Sequence, residues 1–272
     1  RNTISDAEIY GWLKKLDKAD GKTSGSLNDD AKFSRQPKVD NSKSAYESAK
    51  TAGETELTFH QWQQVRTPEF KAWFGDWEND PDNASKVVND KTGEPLVVYH
   101  GGNADITTFD HKKATDKMGR ERALGFGKGK FYLSKFDFTA TSYAKARSKK
   151  GDGFVGSYFV NIRNPITSDE YSQAYRELTG KEITQSYDAQ YTQKQRDANI
   201  AKLDKQLKAQ GYDGMADELG QITVYNPNQI KSATGNSGAF NPDDNDIRFS
   251  RGATLGDKKK SDPADFNEAL QQ

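Results

Sequence analysis

The chain has 272 residues, 40 Lys and Arg against 40 Asp and Glu, three histidines and no cysteine. The lack of cysteine excludes a disulfide framework and every thiolate metal site, and the balanced charge gives no global pull toward nucleic acid or an acidic membrane. Hydrophobic residues make up 33% and the mean hydropathy is −0.99, leaner than a wholly globular chain, so part of the sequence is not core-forming.

No apolar run approaches the ~20 residues a membrane span needs, and residues 1–20 lack the apolar stretch of a signal peptide. A soluble, cytosolic protein without a membrane partner is the expectation. From the N-terminus, one amphipathic stretch, Ile9–Leu16, precedes a run of Lys, Asp, Ser, Gly and Asn with little to bury. Such composition does not offset the entropy of ordering. Residues 1–59 therefore read as a polar extension or linker with a short helix, residues 60–251 as the folded domain, and residues 252–272 as a charged, disordered tail. Ala31-Lys32-Phe33-Ser34-Arg35 recurs in outline as Asp246-Ile247-Arg248-Phe249-Ser250-Arg251. The repeat is either chance or a pair of boundary segments in a longer modular polypeptide, of which this chain would be a piece.

Within the domain, Thr67-Pro68-Glu69 predicts a helix start, with an N-cap, a proline at the first position and an acid in the first turn. Gly75 is placed to end that helix in a left-handed cap. Trp73, Phe74 and Trp77 give it an aromatic face suited to packing. Strands are predicted at Pro95–Tyr99, Gly129–Leu133, Gly156–Ile162 and Gln221–Tyr225, each rich in Val, Ile, Tyr or Phe and bounded by turn residues. Helices are predicted at Thr139–Arg147, Ser168–Leu178 and Thr192–Gln210, the last with Ile200, Leu203 and Leu207 on one face. Antiparallel strands with inserted helices make an α+β domain of a size that supports one core.

Candidate chemistry is sparse. His60, His100 and His111 have no zinc-like spacing, so no metal is expected. A serine triad lacks its nucleophile elbow. Phe126–Lys130 is glycine-rich and basic but lacks the Walker pattern and precedes a strand, whereas phosphate loops precede a helix. His100 ends an apolar strand and is followed by Gly101-Gly102, which would let a ligand approach the backbone. Its bland reading is a structural strand-end histidine.

Several motifs in order resemble one family. They are Tyr99-His100-Gly101-Gly102, Gly127–Ser134 with Tyr143 eleven residues after Tyr132, and Ile222–Tyr225 with Gln229-Ile230-Lys231. They resemble the ADP-ribosyltransferase fold of the diphtheria-toxin and poly(ADP-ribose) polymerase type, with its His-Tyr-Glu signature. Phe70–Trp77, Asn164-Pro165, Gly211–Gly214, Asn226–Asn236 and Asp246–Ser250 are closer still to the ADP-ribosyltransferase domains of polyvalent proteins in phages and conjugative elements. The resemblance covers roughly residues 60–251. It implies a mostly antiparallel split β-sheet core with flanking helices, and a toxin or mobile-element setting in a bacterial cytoplasm.

The resemblance also implies NAD as co-substrate, with no metal, and a protein or nucleic-acid acceptor for a single ADP-ribose. His100 would hydrogen-bond ribose hydroxyls and the Gly101 backbone would hold the nicotinamide carboxamide. Tyr132 and Tyr143 would clamp the flat, cationic nicotinamide ring. Ala140 and Gly102 offer no hydroxyl where relatives place one near the carboxamide, which leaves the Gly101 backbone as the main contact. The arginine-specific branch is excluded, since its first-strand arginine, Ser-Thr-Ser strand and Glu-x-Glu loop are missing.

The family's catalytic glutamate position is held by Gln221. The reaction breaks the nicotinamide–ribose bond through an oxocarbenium-like transition state, which a nearby anion stabilises. A unit charge ~4 Å away is worth about 4 kcal/mol at an effective dielectric of 20. Losing part of that slows turnover by roughly 10²–10³-fold. Three readings stay open: an introduced inactivating change, a native glutamine enzyme that transfers one ADP-ribose, or a non-catalytic module of a phage or mobile-element protein that holds NAD or ADP-ribose without turnover or is purely structural. Asp217 and Glu218 are candidates for a substitute acid, or else a solvated turn. The flanking segments Asp110–Leu124 and Arg147–Gly153 are basic, which suits an RNA, DNA or acidic protein acceptor, or a solvated loop.

Overall fold

The computed structural model describes residues 41–111, 129–148, 153–183, 193–236, 238, 240, 241 and 243–248. All belong to the compact unit Asn41–Gln272. Ile9–Leu16, Gly127, the C-terminal tail and most of the two basic flanking segments lie outside the described residues.

Among the described residues three helices come first: α1 (Lys43–Ala52), α2 (Phe59–Gln64) and α3 (Pro68–Phe74). Thr58 caps α2 in a capping box with Gln61, and Thr67 accepts the Phe70 N–H at the start of α3, with Pro68 in its first turn. Gly75 ends α3 at φ 104, ψ 156, an extended positive-φ conformation, not the left-handed cap expected. A Cβ there would lie 2.3 Å from the Ala84 backbone, so the position needs glycine on two counts. Phe70, Trp73 and Phe74 are buried with Trp62, Leu57, Phe159 and Phe240, and Tyr46 of α1 packs edge-on to Trp62. The packed unit thus reaches back before residue 60.

Seven strands follow: β1 (Val98–Gly102), β2 (Phe131–Ser134), β3 (Phe154–Val160), β4 (Pro165–Ile166), β5 (Gly214–Ala216), β6 (Gln221–Val224) and β7 (Ile230–Ser232). Helix α4 (Asp137–Arg147) follows β2, while α5 (Ser168–Thr179) and α6 (Gln193–Ala209) lie between β4 and β5. The sheet order is β4-β5-β6-β2-β1-β3-β7, antiparallel throughout except for the parallel β4–β5 pair. Residues 95–97, expected in the first strand, instead run beside residues 87–88 through a Val88–Pro95 bridge and a Leu96 N–H to Val87 O bond.

Alternation divides the sheet into two faces. One carries Val98, Phe131, Leu133, Tyr158, Val160, Ile222 and Val224, covered by Phe109, Val87 and Ile247 from connecting segments. On the other, α2 and α3 cover Phe159, whereas α5 and α6 cover Met215 and half-buried Tyr132 through Tyr171, Tyr175, Ile200, Leu203 and Leu207. Helix α4 lies between, across β1. A Cβ on Gly101 would sit 1.8 Å from the Ala140 carbonyl oxygen, and one on Gly153 would meet Ala144 at 2.2 Å.

Most motif residues away from the sheet centre act as joints. Trp73 donates from Nε1 to Asn228 O (3.0 Å), and Asn161 Nδ2 donates to Trp73 O. The Asp213 carboxylate accepts the N–H groups of Arg163 and Asn164, and Gln229 donates to Asn161 O and Asp213 O. Lys231, fully buried, donates from Nζ to the carbonyls of Asp244 and Asp246 and so fixes the C-terminal segment against β7.

Candidate active site

The sheet centre is where β1 and β2 meet. Their ladder holds one register pair, Tyr99–Ser134, whereas β2 and β6 pair along four residues and β1 and β3 along five. The strands part after that pair, beside Gly101 and Tyr132. His100 spans the parting: its Nδ1 lies 2.7 Å from Tyr132 O, and its ring packs edge-on to Phe109. A carbonyl only accepts, so Nδ1 carries the proton, and in the neutral ring Nε2 is the acceptor nitrogen.

Gln221, Tyr132 and Gly101 stand on three adjacent strands and share the face that carries α4. Gln221 pairs with Ser134, and Thr223 pairs with Tyr132. His100 belongs to the opposite face by alternation and reaches this region through the Tyr132 carbonyl. Tyr143 sits on α4, 38% exposed, and its ring makes no aromatic contact among the described residues. Ser134 accepts the Phe136 N–H and so starts the turn into α4.

Two polar atoms on this face have no partner. Gln221 Nε2 and Thr223 Oγ1 are both buried without a hydrogen bond, although Thr223 is only 1% exposed. Native proteins pair buried polar groups, so such orphans mark a place where a ligand or water is to be expected. The donor set is neutral: an amide and hydroxyls, fitted to sugar hydroxyls or a carboxamide better than to a phosphate or a metal. Among the described residues no cluster of His, Asp and Glu could hold a metal ion.

The neighbouring acids are already used or exposed. Asp217 accepts the backbone N–H of Gln221 (3.1 Å) across a turn closed by Gly220, which takes φ 83. Glu218 is exposed. Tyr99, in the same cross-strand row as Gln221 with Ser134 between them, has its phenol pushed up by burial and then by the Asp137 charge.

Sequence reasoning missed the chemistry of Lys130. It is buried, its ammonium 2.7 Å from Asp204 Oδ1 on α6 and 3.0 Å from Tyr171 Oη on α5. Burial draws its pKa below the usual lysine value, against the pull of Asp204. Tyr171 also donates to Asp204 (2.7 Å), and burial followed by that carboxylate pushes its phenol far up. The cluster ties both helices to the root of β2. No periodicity announces it, because its members lie some 40 and 70 residues apart.

A split, mostly antiparallel α+β sheet with a histidine and a tyrosine on adjacent central strands defines the class of fold. Residues 90–240 match the family model described as ADP-ribosyltransferase in polyvalent proteins. The chain belongs to that family, whose fold and donor, NAD, are those of ADP-ribosyltransferases. No curated protein and no solved structure matches it. No helix among the described residues is long and apolar enough to cross a membrane.

Proposed function

We propose that the cleft between β1 and β2 binds NAD and that the domain is a mono-ADP-ribosyltransferase, cleaving the nicotinamide–ribose bond and passing ADP-ribose to a protein or nucleic-acid acceptor. The observation that carries the reading is the parting of β1 and β2 beside Gly101 and Tyr132, with Gln221 Nε2 and Thr223 Oγ1 buried and unpartnered on the next strand. Tyr132 and Tyr143 clamp the nicotinamide ring, the Gly101 backbone holds its carboxamide, and His100 binds a ribose hydroxyl. What supports a role for Tyr143 is that its ring is 38% exposed on α4, the helix pressed against Gly101.

One residue favours a second reading. Gln221 carries no charge, and the Asp217 carboxylate is held against the Gln221 backbone N–H, so no anion extends from position 221 itself toward the developing cation. A module that holds NAD or ADP-ribose without cleaving it fits that feature. Calorimetric titration of NAD into the parent and a Gln221→Glu variant, with nicotinamide release followed in parallel, separates them. Release by the parent supports the transferase. Binding by both with release only by the variant supports a transferase cleft lacking its charge. Binding without release by either supports the binding module. No NAD binding by either defeats the assignment.

A further inference from the structure

The two orphaned atoms on β6 are complementary to each other. Gln221 and Thr223 are two residues apart on one strand, so their side chains emerge on the same face about one strand repeat apart. That is within the reach of a glutamine leaning along the strand. Nε2 is a donor and needs an acceptor; a threonine oxygen accepts as well as donates. Both atoms are buried and both are unpaired. A buried unpaired polar group costs stability unless binding or rearrangement satisfies it. Thr223 is held in place from both sides, with Tyr132 on β2 opposite it and Met215 on β5 beyond it.

An amide presents different chemistry at its two ends. With Nε2 turned inward, Oε1 is the end turned to the cleft, where it acts as an acceptor only, as a carboxylate oxygen does. An amide turned the other way would offer N–H groups to the cleft and repel the same ligand hydrogens. Fixing the orientation therefore decides whether glutamine can stand in for glutamate at this position.

We infer that Thr223 is a positioning residue: its hydroxyl accepts from Gln221 Nε2 when the cleft is filled and so directs Gln221 Oε1 at a ligand hydroxyl. The inference rests on the reading of the cleft as an NAD site, and it adds a role for a residue that contacts the ligand only through another. Threonine to valine keeps shape and volume while removing the acceptor. Serine keeps the acceptor and loses one methyl group.

The test is calorimetric titration of NAD into the parent, Thr223→Val, Thr223→Ser, Gln221→Ala and the Gln221→Ala/Thr223→Val double variant, with a thermal melt of each in the absence of NAD. The expected result is NAD binding about 3–10-fold weaker for Thr223→Val, near-parent binding for Thr223→Ser, and no added loss from Thr223→Val once Gln221 is alanine. The ligand-free valine variant is expected to melt higher than the parent, because an unpaired buried hydroxyl has been removed. A purely structural threonine would give the opposite sign. Parent-like NAD affinity in Thr223→Val overturns the inference and leaves the cleft assignment standing. An equal loss in the Gln221→Ala background overturns the route through Gln221. Failure of the parent to bind NAD overturns the cleft assignment, and the inference with it.

Discussion

Adjacent glycines on β1 are expected to respond in opposite ways to a single methyl group. In Gly101→Ala the new Cβ would fall 1.8 Å from the Ala140 carbonyl oxygen and 2.9 Å from the Ala144 nitrogen, both backbone atoms of α4. Neither can rotate away, so the helix must lift by more than an ångström or β1 must bend. Overpacking a tight interior costs typically 1–3 kcal/mol, occasionally more, and a clash with helix backbone belongs at or above about 3 kcal/mol. In Gly102→Ala the nearest atoms are 3.7–4.0 Å away, ordinary contact distance. That variant should lie within about 0.5 kcal/mol of the parent, or gain slightly from a stiffer unfolded chain. Urea unfolding followed by far-UV circular dichroism measures both. Because α4 carries Tyr143, NAD affinity should fall with stability in Gly101→Ala. A Gly101→Ala midpoint equal to the parent's would refute the account of α4 resting on bare backbone.

Three further outcomes are expected. Tyr143→Ala should weaken NAD binding about 5–10-fold, the worth of a stacked ring, while moving the urea midpoint little, since the ring is 38% exposed and packs on no other aromatic among the described residues. Lys130→Met should destabilise the fold by about 3–5 kcal/mol by removing the cation paired with Asp204, and the Lys130→Met/Tyr171→Phe/Asp204→Leu variant should recover most of it in the same assay, because apolar replacement of a whole buried ionic cluster is often neutral. Tyr158 is pushed up to about 12, first by burial and then by Asp105, so its neutral form is favoured by folding. That contribution is complete below pH 10 and lost as pH rises through 12, a change of about 3 kcal/mol at most. The stability difference between the parent and Tyr158→Phe should be flat below pH 10 and shift above it; a flat difference to pH 12 would contradict the burial argument.

Elements with strong local signals were legible. The Thr67-Pro68-Glu69 start of α3, the strands that became β2, β3 and β6, and the helices α4, α5 and α6 lie close to their predicted places. β4, β5 and β7 have two or three residues each, too few for alternation to register, and are held by partners and by joints such as Asp213 and Gln229. Helix α1 has no fully buried residue and touches the core only through partly buried Ala45 and Tyr46, too short an apolar face to stand out in a polar segment. In the candidate site, His100, Tyr132 and Gln221 could be proposed from motif order. The reason for Gly101 could not, because the helix it accommodates starts 36 residues later. Thr223 was invisible as well: a threonine in a strand is ordinary, and only the register reveals an unpaired hydroxyl opposite Tyr132.

The same hydroxyl bears on what a carboxylate would do at position 221. Thr223 Oγ1 can accept from an amide, but it can equally donate to a charged oxygen. In Gln221→Glu the carboxylate would replace the buried amide and gain a donor two residues along the strand. A hydrogen bond to the charged form lowers a carboxyl pKa, whereas burial raises it. With Thr223 present, the variant's nicotinamide release should therefore reach its plateau at a lower pH than in Gln221→Glu/Thr223→Val, where burial acts unopposed and the carboxyl holds its proton longer. Steady-state release measured from pH 5 to 8.5 reads the difference as a rightward displacement of the rising limb with an unchanged plateau. Coincident profiles would mean that the hydroxyl faces away from residue 221 and that a solvent molecule, not Thr223, completes the site.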